Sequence, residues 1–261
     1  MLRLLLLLFA LPLVANSQLR VSRLELKPKE EFRLAEGDII VADTIVMGDS
    51  SAIWLNSALK DNFIHAKMLK VGKGARIIGA GQAGNRGKDG PRGLSPTGPC
   101  MDGAFGKGGT GGTHGETGVN LSLYINEWTI EGSLLIDLRG GDGGDGGHGG
   151  VGGGGSTGTR VCTGGNGGVG GNGGTGGNGG DGGTLSIYCK NCLYVRSWLD
   201  EKLLVRNFGG FAGLGGNGGL GGSAGLGAFG DTSKDGKNGA RGKAGNAGEQ
   251  GKPGSINFEI N

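Results

Sequence analysis

Short apolar runs alternate along this chain with long stretches in which the hydrophobic pattern disappears into glycine. Leu121, Leu123 and Ile125 alternate with polar residues, as do Leu185 and Ile187, and Ile256, Phe258 and Ile260. Runs of this kind, rich in β-branched and aromatic residues with a period of two, predict half-buried strands. Segments 68–78, 121–138 and 193–208 read as strand pairs that lead into a glycine tract. The last two align: Leu123-Tyr124-Ile125 with Leu193-Tyr194-Val195, Trp128 with Trp198, and Leu134-Leu135-Ile136 with Leu203-Leu204-Val205. Segment 43–55 reads as an earlier member without a tract, carrying Trp54. A tryptophan recurring at one place in each repeat predicts core packing.

The tracts between these runs have a period of three. Glycine accounts for 66 of the 261 residues. A three-residue period belongs to the polyproline II helix, which makes no internal hydrogen bonds and must find partners outside itself. Each tract is broken once by a non-glycine turn, at 94–102, 156–163 and 231–235. Six straight arms result: 79–93, 103–118, 140–155, 164–183, 209–230 and 236–254. At ~3.1 Å per residue an arm is roughly 45–70 Å long. The pattern predicts a mainly β fold with polyglycine II. A small repeated β platform, either a sandwich or β-helix-like rungs, would carry six antiparallel arms in three hairpins (79–118, 140–183 and 209–254). With 18–78 these would form one structural domain.

The grading of the repeat predicts where each arm lies. Gly-Gly-X leaves two ridges without a Cβ for close packing, whereas Gly-X-Y leaves one. Arms three, four and five are mainly Gly-Gly-X. The first and last are Gly-X-Y and charged, with Arg86, Lys88 and Asp89 in one and Lys237, Arg241 and Lys243 in the other. The middle arms therefore belong inside the bundle and the outer two at its margin. The collagen-like Gly-X-Y stretches lack the long unbroken phase and the proline content of a triple helix.

Six glycine arms joined by turns resemble the polyglycine II bundles of snow flea antifreeze protein and of certain phage tail-fibre adhesins. The resemblance covers 79–254 in architecture only. It implies either receptor binding by loops at one end of the bundle or ice binding by a flat face.

Residues 1–17 read as a secretory signal: Arg3, a short apolar run, then Ala15-Asn16-Ser17 as the cleavage site. No later segment is apolar enough to span a bilayer. Export to the extracellular space or cell surface makes the four cysteines more suited to bridges than to free thiols. Cys100 and Cys162 lie in the first two turns and would tie two hairpins if the turns meet. Cys189 and Cys192 suit a local structural bridge. The formal net charge of +3, with both signs interspersed, gives no reason to invoke nucleic acid.

Third-position side chains stack into columns along each arm. Arm five offers an apolar column, Phe211, Leu214, Leu220, Leu226 and Phe229, interrupted by Asn217 and Ser223. It is expected either to pack against neighbouring arms or to serve as a self-association stripe. Arm four offers Asn166, Val169, Asn172, Thr175, Asn178 and Asp181, a polar column facing solvent. Asp142 and Asp145 match the start of a calcium nonapeptide, but Gly147 occupies the place of its large apolar residue, so at most weak calcium binding is expected. His65, His114 and His148 read as solvated.

No catalytic constellation, cofactor motif or metal-ligand spacing stands out, so the chain is read as non-enzymatic. The leading expectation is a secreted adhesin or binding module whose tip loops meet a cell-surface or matrix ligand. The candidate contacts are Leu94, Thr97, Met101 and Asp102; Thr157, Thr159 and Arg160; and Asp231, Thr232, Lys234 and Asp235. One alternative is a structural subunit of an extracellular filament or matrix that self-assembles through the arm five stripe or by strand addition at the platform edge, 255–260. Another is an ice-binding protein.

Overall fold

The computed structural model describes residues 18–34, 37–192 and 194–260. The expected signal segment lies outside the described residues, as does Leu193. The chain alternates between two sheets. Strands β1 (Gln18–Leu26), β3 (Ile39–Met47), β5 (Asp61–Val71), β7 (Asn120–Ile130), β9 (Leu185–Cys189) and β11 (Ile256–Ile260) form one. Strands β2 (Glu31–Arg33), β4 (Ala52–Trp54), β6 (Ala75–Ile78), β8 (Leu134–Asp137) and β10 (Leu203–Arg206) form the other. Every ladder between these strands is parallel. The backbone is thus a coil of two-sided turns, with odd strands on one side and even strands on the other.

This overturns the expected fold class. The β part is not a small platform but two parallel sheets of six and five strands. The segments read as strand pairs leading into each tract are not paired with each other. In 68–78 the corner at 72–74, where Gly74 has φ +66°, sends β5 and β6 into different sheets. Nor does the alignment of 121–138 with 193–208 hold over its first part. Tyr124 sits beside Tyr188 in β9, and Val195–Trp198 forms a 3-10 turn. The second part does hold, with Leu134 beside Leu203 and Ile136 beside Val205.

The apolar positions of each strand face inward and stack in register. Ile40, Ile64, Leu123 and Ile187 form one internal column. Ile53, Ile77 and Ile136 form its counterpart in the other sheet. All seven are at most 1% exposed. In β3, β5 and β7 the inward period slips from two to three, so Ala42, Ala66 and Ile125 are followed inward by Ile45, Leu69 and Trp128. Trp128 meets Trp198 edge-on, with ring centroids 6.3 Å apart. Trp54 belongs to the five-stranded sheet and lies under the Arg33 guanidinium, so the three tryptophans do not share one place in a repeat. Buried Asn62 is satisfied: its Nδ2 donates to the Asn56 and Leu59 carbonyls and its Oδ1 accepts from Asn56 N–H.

The glycine tracts continue these two layers. Strands β6, β8 and β10 run directly into arms one, three and five. Arms two, four and six run directly into β7, β9 and β11. The ladder that carries Gly79 N–H to Asp137 O and Leu138 N–H to Arg206 O extends up the arms. Gly84 donates to Asp142, and Gly143 to Phe211. The result is a two-layer raft in which arms two apart are parallel neighbours and successive arms, in opposite layers, run in opposite directions. Arms three and four each bond to four neighbours, whereas arms one and six bond to two. The arms are therefore not a set of antiparallel hairpins on a small base but extensions of the parallel framework.

The repeat follows from this packing. A Cβ on the first glycine of a triplet points at the next arm: on Gly140 it would lie 1.9 Å from Gly180 O. A Cβ on the second points at the arm two before: on Gly144 it would lie 2.1 Å from Asn85 O. Arms three to five have both neighbours and carry Gly-Gly-X. Arms one and two have no arm two before them and carry side chains at the second position, such as Lys88 and Thr110. Arm six has no successor and carries side chains at the first, such as Asn238 and Arg241.

Candidate functional site at the bundle tip

The arms end, at the pole opposite the sheets, in three loops that touch in sequence. The first two are joined by the Cys100–Cys162 disulfide, whose Cα atoms are 6.0 Å apart. Cys100 N–H donates to Thr157 O, and Met101 N–H donates to Ser156 Oγ at 2.8 Å. The second and third loops meet through Gly158 N–H to Leu226 O and through Lys234 Nζ to Arg160 O. The Arg160 guanidinium lies over the Phe229 ring, 4.9 Å from its centroid. Within the third loop, Gly227 N–H donates to the Asp235 carboxylate and Asp231 Oδ1 accepts from Ser233 N–H. The Ser233 hydroxyl, with that backbone N–H, holds the Asp231 carboxyl below its ordinary value.

This rigid base displays apolar side chains. Val161 is 94% exposed, Phe229 84% and Leu94 81%. Phe229 and Cys100 have φ of 57° and 62°, the left-handed region that non-glycine residues seldom occupy. A shallow hollow of about 650 Å³ opens between 157–161 and 227–229. Apolar groups crowded at an exposed, cross-linked end are suited to contact with another surface.

The predicted tip residues divide into two sets. Asp102, Thr159, Asp231, Lys234 and Asp235 direct polar atoms at the loops or at arm four, where Asn166 N–H donates to Asp102 Oδ1. Thr97, Met101, Thr157, Arg160 and Thr232 are exposed. Val161 escaped the sequence reading because a lone valine between polar turn residues carries no periodic signal. Phe229 was read as the end of the arm five stripe, but it lies in the third loop beneath Arg160.

Along the arms the columns have a role not read from sequence. In each Gly-Gly-X triplet the two glycine N–H groups bond to neighbouring arms and the N–H of X points outward. Asp142 and Asp145 accept these N–H groups from Phe211 and Leu214, both at 2.8 Å, and His148 Nδ1 accepts from Asn217. Asn166, Asn172, Asn178 and Asp181 do the same for arm six, and His114 for Asn178. His114 and His148 are therefore not simply solvated, and arm four's column is a row of caps. The capping carboxylates of arm three are engaged, and among the described residues no group of three or more His, Cys, Asp or Glu could hold a metal ion. The arm five column is not packed away: Phe211, Leu214, Leu220 and Leu226 are 58–68% exposed.

Cys189 and Cys192 form the second disulfide. Two closed bridges suit an oxidising compartment, and no helix among the described residues is long and apolar enough to cross a membrane. No family model matches the chain and no curated protein matches it. Among solved structures, a likeness is found to the nine polyproline type II helical bundle springtail antifreeze protein from Granisotoma rainieri. It has 23% identity and a TM-score of 0.12, covering 66% of this chain and 92% of that one. At that score the likeness says nothing of how this chain folds or acts.

Proposed function

We propose that this chain is a secreted, non-enzymatic binding module that meets a cell-surface or matrix ligand with its tip loops. The observation that carries this reading is the pair of exposed side chains Val161 and Phe229 lining an open hollow between the second and third loops, at the end farthest from the sheets. The disulfide and the inter-loop hydrogen bonds fix the loops before any ligand arrives, which lowers the ordering cost of association. The arms act as a spacer: two of the three backbone N–H groups in each Gly-Gly-X triplet bond to neighbouring arms, so the tip is held at a set distance.

The test is binding of the fluorescently labelled chain to intact cells and to immobilised matrix proteins and glycans. Val161→Asp combined with Arg160→Glu should abolish binding without lowering the melting temperature. Val169→Asp, on an arm column away from the loops, should leave binding intact. Binding that survives loss of all three tips would overturn the reading.

A further inference from the structure

We infer that Asn217 is a site of spontaneous backbone modification, where the chain rearranges to aspartate and isoaspartate. Asn-Gly pairs begin at 166, 172, 178, 217 and 238, and the first four share the same surroundings, Gly-Gly-Asn-Gly-Gly. Local sequence does not tell those four apart, so any difference in their chemistry comes from the fold. The inference is independent of the tip reading, since Asn217 lies on arm five.

The reaction is intramolecular. The Gly218 nitrogen attacks Asn217 Cγ. The N–Cγ bond forms, the Cγ–Nδ2 bond breaks, and Nδ2 leaves as ammonia with the proton of the Gly218 N–H. Water then opens the cyclic imide at either carbonyl, giving aspartate or isoaspartate. Asparagine is thermolabile, and a step of this kind is governed by how freely the two reacting groups reach the geometry of attack. The isoaspartyl product has one more backbone carbon, which puts the residues beyond it out of step with the triplet ladder.

Three of the four identical pairs are held at both groups. Gly167, Gly173 and Gly179 donate their N–H to Lys237 O, Lys243 O and Glu249 O, each at 2.8 Å. The Oδ1 atoms of Asn166, Asn172 and Asn178 accept N–H groups of arm six. Asn238 is held in the same way, since Gly239 N–H donates to Gly222 O and Asn238 Oδ1 accepts from Ala224 N–H. The glycine N–H after each of Asp89, Asp102, Asp142, Asp145, Asp181 and Asp235, which could close the same ring, is also bonded to a neighbouring arm. Asn217 differs because arm five is the last arm of its layer. No further arm stands where one would accept the Gly218 N–H or offer an N–H to the Asn217 amide. Asn217 N–H is capped by His148 Nδ1, but among the described residues neither the Asn217 side chain nor Gly218 N–H has a hydrogen-bond partner. Arg241, whose Nε reaches Gly218 O at 3.3 Å, is a donor and offers no acceptor.

The full chain, with both disulfides closed, would be kept in mildly alkaline buffer and sampled over weeks. Peptide mapping by mass spectrometry reads the conversion of amide to acid, and labelling by an isoaspartyl methyltransferase reads the rearranged product. Asn217 should convert at least about tenfold faster than Asn166, Asn172 or Asn178, which must first break two hydrogen bonds. In denaturant, with the disulfides reduced, the four should react at one rate. Asn217→Gln should remove the product and leave the melting temperature unchanged. Equal rates at the four sites of the folded chain would overturn the inference. So would a faster site among the other three, or an Asn217 that stays inert in the folded chain while the unfolded chain reacts.

Discussion

The carboxylate of Asp142, on arm three, accepts the backbone N–H of Phe211, on arm five, at 2.8 Å. The contact pairs an acidic side chain with the main chain of the most apolar arm. It recurs one triplet on, where Asp145 accepts from Leu214. Polyproline II segments have no internal bonds, so each outward N–H left by the raft is met by a side chain or by water. Replacing Asp142, Asp145 and His148 together by alanine returns three such groups to solvent. The expected loss is about 0.5–1 kcal/mol for each, at the low end for exposed hydrogen bonds. Thermal melting of the triple variant, beside an Asp142→Asn, Asp145→Asn control that keeps the acceptors, would measure it.

Two glycine-to-alanine changes in adjacent arms should have opposite outcomes. A Cβ on Gly171 would lie 1.9 Å from Lys107 O, so Gly171→Ala must force the arms apart. A Cβ on Gly108 meets nothing closer than Asn172 O at 3.4 Å, and Gly108→Ala should be neutral or stabilise by about 0.4–1 kcal/mol by restricting the unfolded chain. Denaturant unfolding of the two variants checks the order. Equal effects would show that the raft does not pack through its glycines.

The two disulfides should differ in what their loss costs. Cys100–Cys162 spans 62 residues and joins two loops, whereas Cys189–Cys192 spans 3. On the chain-entropy account the long loop contributes about 4 kcal/mol and the short one about 1.6 kcal/mol. Paired Cys→Ser variants, compared by urea midpoint, should show the larger drop for the tip bridge.

Acid should loosen the arm one edge. The Asp89 carboxyl is held below its ordinary 3.8, chiefly by the hydrogen bond from His148 N–H, with a smaller contribution from Arg86. A pKa lowered in the folded state means that the contribution is complete above the unfolded value and is lost as pH falls through the folded one. Amide exchange at His148 should therefore be slow from pH 7 to 5, after correction for the intrinsic rate, and speed up below about pH 4. Asp89→Asn should remove most of that acid dependence while keeping an acceptor oxygen.

The arms, their turns and the marginal place of arms one and six were legible because each depends on where a Cβ is absent, which the sequence states directly; arm five, expected inside, is the last arm of its layer and bonds to three others. Sheet direction was not. Short runs such as Leu185–Cys189 look alike in parallel and antiparallel ladders, and the register steps from β3 to β5 and from β5 to β7 differ by a whole inserted tract. A regular period therefore never appears. The turn at 72–74 looks like a hairpin turn but is a corner between sheets. At the tip, Cys100 and Cys162 could be named as partners because both lie in turns. The prominence of Val161 depends on how the loops rest on one another, which no local pattern encodes.

Because each strand ladder flows into an arm layer, reach and breadth are set by separate changes. Adding one triplet to every arm would move the tip outward by about 9 Å without touching the sheets. Adding one turn of the coil with its glycine tract would widen the raft by one arm in each layer and leave the reach unchanged. A lineage or a designer can therefore alter the standoff of the loops and the area of the flat faces independently. In both cases the glycine pattern records the result: two glycines per triplet wherever an arm is enclosed, and one where it forms the border.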